Sequence, residues 1–261
     1  MQAVGSRLAL WFAALSLSAG AVAREPSIQY AEPVALAMKA GAAQFDAYGR
    51  RFALTLIDNE RVLSKLSGER RQQLSAYRML RGSLDGAPGS WVRLTEFKGA
   101  LEGAIWDGQD LYTVTRYELI APYLTTPIDA APGQTVVYRL SDSHDILPRD
   151  FCELGDDALM AKASNGLEQY ETVVRWLEGS VITPQITNQV EISLIADGDF
   201  QAAEGDPTAA MLARLNIVEG IFSEQVGLLV LATDVRLIPP SNDPFKATKA
   251  SVLLEQLGVY R

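Results

Sequence analysis

Two residues with metal-binding side chains each occur once in this chain: His144 is its one histidine and Cys152 its one cysteine. A protein zinc site uses three or four ligands, drawn mainly from histidine and cysteine, so these residues do not supply a complete site of the usual kind. A lone cysteine also has no partner for a disulfide bond. Cys152 is therefore the residue whose chemistry most needs an explanation.

Other arrangements of reactive residues are excluded by their spacing. Asp197-Gly198-Asp199 starts like a calcium-binding loop, but Ala202 and Thr208 stand where such a loop needs glycine and glutamate. We expect a turn that ends a strand there. Asp142–Asp145 contains the residue types of a serine triad, yet consecutive residues do not align a nucleophile with its base. We also find no glycine-rich phosphate-binding motif.

The composition points to a globular protein that does not bind nucleic acid. Hydrophobic residues make up 48% of the chain, which is enough to bury a sizeable core. The formal net charge is −9 and the isoelectric point is about 4.8, so the chain has no excess of basic residues with which to bind phosphates.

The first residues have the pattern of a secretory signal peptide. Arg7 precedes an uncharged stretch from Leu8 to Ala23, which is shorter than the ~20 residues that span a bilayer. The small residues Ala21 and Ala23 predict cleavage after Ala23. We expect a secreted or periplasmic protein that has no membrane contact once the signal is removed.

Short strands dominate the next part of the sequence. Phe52, Leu54 and Leu56 alternate with other residues, and Asp107-Gly108 separates two apolar runs as in a β-hairpin. These patterns predict an antiparallel β module. The segment from Pro127 to Gly155 lacks periodicity and is expected to be an exposed connector.

The last part of the sequence predicts a strand, a helix and a second, parallel strand. Val190–Ala196 and Leu228–Leu237 are the strands, Asp206-Pro207 is a helix start, and Gly227 ends that helix. Another helix is expected from Lys246 to Leu257. Along the first helix, Met211, Leu215, Val218 and Phe222 keep the helical spacing of three or four residues.

Four segments resemble reprolysin-type (adamalysin-type) zinc metalloendopeptidases, a branch of the metzincins. Residues 190–200, 215–238 and 251–261 resemble the start of the catalytic domain of that family, and residues 81–114 resemble its propeptide. The two parts occur in the family's order. Asp197, Asn216 to Phe222 and Tyr260-Arg261 occupy positions that match the family pattern.

The resemblance implies an α+β protein in which an antiparallel β-rich propeptide module precedes an incomplete α/β metzincin-like protease domain. Its parts would be a signal peptide (1–23), the propeptide (24–150), a linker (151–188) and the N-terminal part of the catalytic domain (189–261). The family's HExxHxxGxxH motif is absent from these residues. The full-length parent would cleave peptide or protein substrates with zinc, and this fragment is expected to be inactive.

Two residues receive roles from the resemblance. Cys152 lies near the position of the family's inhibitory cysteine, whose thiolate fills the open coordination site of the zinc. The alternative is that Cys152 is a small, half-buried apolar residue. Glu191 matches a glutamate that some members use to bind calcium. The alternative is an edge or solvent-facing glutamate, because calcium takes six to eight oxygen ligands and a single carboxylate is weak evidence for such a site.

A second hypothesis requires no residues outside this sequence. In it, the chain is an exported, non-catalytic module whose β part binds a protein or a polysaccharide, and the α/β part is its structural partner. A two-stranded sheet with few helices would leave apolar surface uncovered, which argues against this alternative.

Overall fold

The computed structural model describes residues 27–39, 41–144, 185–247 and 250–260. Within them, a β module (the described residues up to His144) precedes a βαβ unit (188–237). The strands are β1 (Ser27–Ile28), β2 (Glu32–Pro33), β3 (Ala37–Lys39), β4 (Ala42–Ala47), β5 (Arg50–Asp58), β6 (Arg78–Leu84), β7 (Trp91–Phe97), β8 (Ala100–Trp106), β9 (Leu111–Arg116), β10 (Thr135–Arg139), β11 (Ser143–His144), β12 (Asn188–Ala196) and β13 (Leu228–Leu237). The α-helices are α1 (Gly68–Gln73), α2 (Tyr117–Ile120), α3 (Gly198–Ala203), α4 (Pro207–Ile221) and α5 (Ala250–Tyr260).

The β module is built on one antiparallel sheet, as the strand pattern predicts. Its nine strands follow the order β2-β10-β9-β8-β7-β6-β5-β4-β3, while β1 pairs separately with β11. The predicted hairpin at Asp107-Gly108 joins β8 to β9. Lys98 and Gly99 join β7 to β8, and both have positive φ angles, of 51° and 78°, as a tight two-residue hairpin turn requires.

The expectation of an exposed connector from Pro127 onwards is wrong for part of that segment. β10 lies between β9 and β2 in the sheet, and Val136 and Val137 are fully buried. The strand has only five residues and directly follows the turn at Pro132-Gly133, so its alternation is too short to stand out in the sequence. The β-branched Val136 and Val137 nevertheless suit a pleated, buried position.

The strand β7 buries residues on both faces of the sheet. Val92 and Leu94 belong to a hydrophobic core formed by the β module alone. Trp91 and Arg93 lie on the opposite face, where α4 packs, and both are almost completely buried. The middle of the sheet is therefore covered on both sides, with α4 on one of them.

The βαβ unit has the topology predicted from the sequence. β12 and β13 pair in parallel, with Val190 opposite Val230. Asp206 caps α4, Pro207 is its first residue, and the helix continues as a π-helical turn (Phe222–Val226) that ends at Gly227, whose φ is 74°. A further helix, α5, follows, as expected.

The apolar residues at helical spacing in α4 are not all buried. Met211 and Leu215 are buried, but Val218 is 39% exposed and Phe222 is 40% exposed. Asn216 and Glu219 are fully buried in their place. The helix therefore faces the β module with these two polar residues, because Asn59 and Arg93 of the β module bind them.

Candidate functional site

α4 presents two chemically different faces to its neighbours. Asp206 fixes the start of the helix, because its carboxylate accepts a hydrogen bond from the Ala209 amide at 2.8 Å. The residues at the interface then follow helical spacing on each face. The apolar face carries Met211, Leu212 and Leu215. The polar face carries Asn216 and Glu219 and continues with Ser223 in the π-helical turn.

The central contact of the polar face is an ion pair between Glu219 and Arg93 of β7. Arg93 Nε lies 2.7 Å from Glu219 Oε2, and the side chains are 1% and 0% exposed. Arg93 Nη2 also donates to Glu224 Oε1 at 2.8 Å and to Ser223 Oγ at 3.0 Å. One arginine of the sheet thus binds three residues of the helix and of the turn that continues it.

A second arginine reaches the same carboxylate. Arg61, which lies in a short 3₁₀ turn (Glu60–Leu63), forms an ion pair with Glu219 through Nη2. Asn59 Nδ2 adds a hydrogen bond of 3.2 Å to Glu219 Oε2. The charges of Arg61 and Arg93 are matched by those of Glu219 and Glu224, which is the condition under which buried charges are tolerated.

The surroundings keep Glu219 ionised. Burial by itself raises the pKa of this carboxyl, but the charge and hydrogen bond of Arg93, the charge of Arg61 and the hydrogen bond of Asn59 outweigh it. The pKa of Glu219 therefore lies below the usual value of a glutamate. Burial also lowers the pKa of Arg61.

Asn216 joins the helix to the main chain of the sheet. Its Nδ2 donates to the carbonyl oxygens of Leu80 in β6 and Leu94 in β7, at 3.1 Å and 3.0 Å. Its Oδ1 accepts from Asn59 Nδ2 at 2.8 Å. An apolar residue at this position would leave buried polar groups without these partners, which costs free energy.

A glycine lets α4 approach the sheet closely. A Cβ atom at Gly220 would lie 2.5 Å from Arg93 Cγ and 3.1 Å from Trp91 Cζ3. A separation of 2.5 Å between carbon atoms is well inside van der Waals contact. Because Gly220 has no side chain, α4 can lie close enough to β7 for the Arg93–Glu219 ion pair to form.

These residues form a fixed contact between the two parts of the chain. The carboxylate of Glu219 is buried and receives hydrogen bonds from Arg61, Arg93 and Asn59. A group held in this way favours one relative placement of helix and sheet. We accordingly take the interface between the β module and the βαβ unit as the candidate functional site.

A cleft of about 600 Å³ lies beside α4, on the side of β8 and β9. A second cleft of about 470 Å³ shares Glu102 and Ala213 with it. Arg116 Nη2 lies 3.0 Å from Glu102 Oε1, and Arg214 pairs with Glu204, so these two arginines are each paired with a glutamate. The two clefts offer space for a small ligand.

The sequence-predicted site residues are not part of the buried network around Glu219. Cys152 lies outside the described residues, as do the signal peptide and most of the linker. Glu191 lies in β12, where its carboxylate is 2.9 Å from Lys65 Nζ. Both side chains are more than 40% exposed, so Glu191 occupies a solvent-facing position and its calcium role stays a prediction.

Asp197 lies between β12 and α3. Its Oδ1 accepts from the Phe200 amide at 2.7 Å, which caps α3. The Gly198 amide donates to Asp243 Oδ2, also at 2.7 Å. Within the part of the chain that the structure describes, no group of three histidine, cysteine, aspartate or glutamate side chains is placed to bind a metal ion.

Sequence reasoning missed the members of the buried network. In the sequence, Arg93 and Asn216 lie within the segments that resemble the family, 81–114 and 215–238, and neither carries a predicted role. The available signal was the helical spacing of Asn216, Glu219 and Ser223 beside apolar residues. That spacing indicates a polar stripe but does not distinguish a solvent-facing stripe from one that meets a buried arginine.

Comparisons with known proteins add nothing to the resemblance, which is based on the sequence segments named above. No protein-family model matches the chain, and no curated protein matches it. Among the described residues, no helix is both long and apolar enough to cross a membrane.

Proposed function

We propose that this chain is the propeptide and the opening βαβ unit of a secreted, reprolysin-type zinc metalloendopeptidase precursor. The proposal starts from the matching segments at 81–114, 190–200 and 215–238 and from their order. The buried contact of Arg93 with Glu219 supports it most directly. A propeptide that supports folding needs a specific contact with the domain it precedes, and this ion pair is such a contact.

In this proposal the β module holds the first parallel strands and α4 in place. Arg93 and Arg61 would orient α4 through Glu219, while the apolar face of α4 covers β12 and β13. Bound zinc would activate the water that attacks the peptide bond in the full-length parent. The histidines that hold it would come from outside these residues, and Cys152 would keep the precursor latent. Alone, the chain would be inactive.

The reading frame beyond the codon of Arg261 tests this proposal. An in-frame HExxHxxGxxH within roughly a hundred codons is the expected result. The extended precursor should then be a latent peptidase, and Cys152→Ala should release activity without processing, whereas a substitution at the exposed Arg51 should not. A stop codon with no such motif, or an extended Cys152→Ala precursor as latent as the wild type, would contradict the proposal.

One observation favours the alternative of an exported binding module. The β module and the βαβ unit share a hydrophobic cluster, so the β module itself covers apolar side chains of α4, β12 and β13. A natural stop after Arg261, a monomeric protein and one cooperative unfolding transition would support this function. Binding of the purified chain to a panel of polysaccharides and proteins would then identify the ligand class.

A further inference from the structure

We infer that the contact between the β module and the βαβ unit is a self-sufficient interface, so that the two parts stay together as a non-covalent complex after the chain between His144 and Gln185 is cut. The partner that this surface of the β module fits is the chain's own βαβ unit. The inference depends on the interface alone and holds for either function proposed above.

The apolar part of the interface is a cluster to which both parts contribute. It lies between the turn region that follows β5 and the packed faces of α4, β12 and β13. Separation would expose these side chains to water, which opposes it. The β module contributes Val62, Leu63, Leu66, Leu74 and Met79, and the βαβ unit contributes Ala196, Met211, Leu212, Leu215, Val230, Ala232 and Val235.

The polar part of the interface makes the contact specific. Glu219 is fully buried between Arg93 and Arg61, so a displaced βαβ unit would leave buried charges without partners. Asn216 adds bonds to main-chain carbonyl oxygens of β6 and β7, which exist only in one register of helix on sheet. A mispositioned complex would lose both sets of contacts.

Further contacts spread the interface over all three elements of the βαβ unit. Tyr77 Oη donates to Asp206 at the start of α4, at 3.3 Å. Arg70 donates to the carbonyl oxygen of Val235 in β13. Lys65 pairs with Glu191 in β12. Each element of the βαβ unit is therefore attached to the β module directly, without help from the covalent connection.

Cleavage of the folded, full-length chain tests this inference. A recognition site for a sequence-specific protease is inserted after Gly166, and the purified chain is cut completely, as judged on a denaturing gel. Size-exclusion chromatography at physiological salt should show both fragments in one peak at the elution volume of the uncut chain. Two separate peaks, or a β module that elutes alone, would overturn the inference.

Variants of the cut complex test whether the ion pair holds it together. With Glu219→Gln, we expect the fragments to separate at least tenfold faster after dilution, while Arg51→Ala, which alters an exposed pair with Asp46, should leave the rate unchanged. Equal rates in the two variants would overturn the role of the ion pair. If Glu219→Gln does not fold, Glu224→Gln replaces it, because it removes the partly exposed carboxylate that also pairs with Arg93; the expected direction and the control are the same. Peptidase activity is not measured, so failure here is distinguishable from failure of the proposed function.

Discussion

Arg93 Nε of the central strand β7 lies 2.7 Å from Glu219 Oε2 of α4, and the two side chains are excluded from solvent. The residues are 126 positions apart in the sequence. Their contact joins an antiparallel β module to a parallel βαβ unit, and most of the measurable consequences of this structure depend on it.

Removal of the negative charge of Glu219 should destabilise the protein strongly. Glu219→Gln leaves Arg93 buried without its full counter-charge, and breaking a buried ion pair typically costs about 3–5 kcal/mol. Urea unfolding, followed by tryptophan fluorescence, measures this loss. Glu191→Gln is the matched control, because Glu191 and its partner Lys65 are both more than 40% exposed, and it should cost less than about 1 kcal/mol. Equal costs would contradict the central role of Glu219.

The same carboxylate should make stability depend on acid pH. Because the pKa of Glu219 is lower in the folded protein, its ionisation stabilises the fold above the usual pKa of a glutamate, about 4.5. That contribution is lost as the pH falls from this value through the folded-state pKa. The free energy of unfolding of the wild type, minus that of Glu219→Gln, should be constant from pH 7 to 6 and shrink below about pH 4.5. A difference that grows on acidification would refute the assignment.

A methyl group at Gly220 should weaken the packing of α4 on the sheet. Alanine normally stabilises a helix by about 1 kcal/mol relative to glycine. Here its Cβ would collide with Arg93 Cγ, so we expect a net loss of about 1–3 kcal/mol. Gly258→Ala in α5 is the control, since nothing lies within 4 Å of that Cβ position, and it should be neutral or stabilising. Thermal unfolding of both variants provides the comparison.

Asn216→Leu should destabilise the protein although leucine is the better helix former. The substitution removes the hydrogen bonds to the carbonyl oxygens of Leu80 and Leu94 and to Asn59. Buried groups that lose their partners cost about 1–3 kcal/mol each. Chemical denaturation should therefore show a lower midpoint, and the larger apolar surface of leucine should not compensate. A variant as stable as the wild type would show that water replaces the Asn216 contacts.

Local rules were sufficient to predict much of the fold. The hairpin at Asp107-Gly108, the capped start of α4 at Asp206-Pro207 and its end at Gly227 depend on positive φ angles and on hydrogen bonds within a few residues. The parallel pairing of β12 with β13 followed from the order of strand, helix and strand. β10 was missed because five residues beside a turn carry too little periodicity.

The sequence by itself therefore determined where most chain segments turn, coil or extend, and it determined that one histidine and one cysteine do not complete a zinc site. Only the tertiary structure decided which face of α4 is buried. Val218 and Phe222 satisfy the apolar periodicity, yet Asn216 and Glu219 face the sheet. A polar helix face can be buried when matching charges and hydrogen-bonding groups lie opposite it. Arg93, Arg61 and Asn59 lie opposite this face, although they are more than 120 positions away in the sequence, and only the folded chain brings them there.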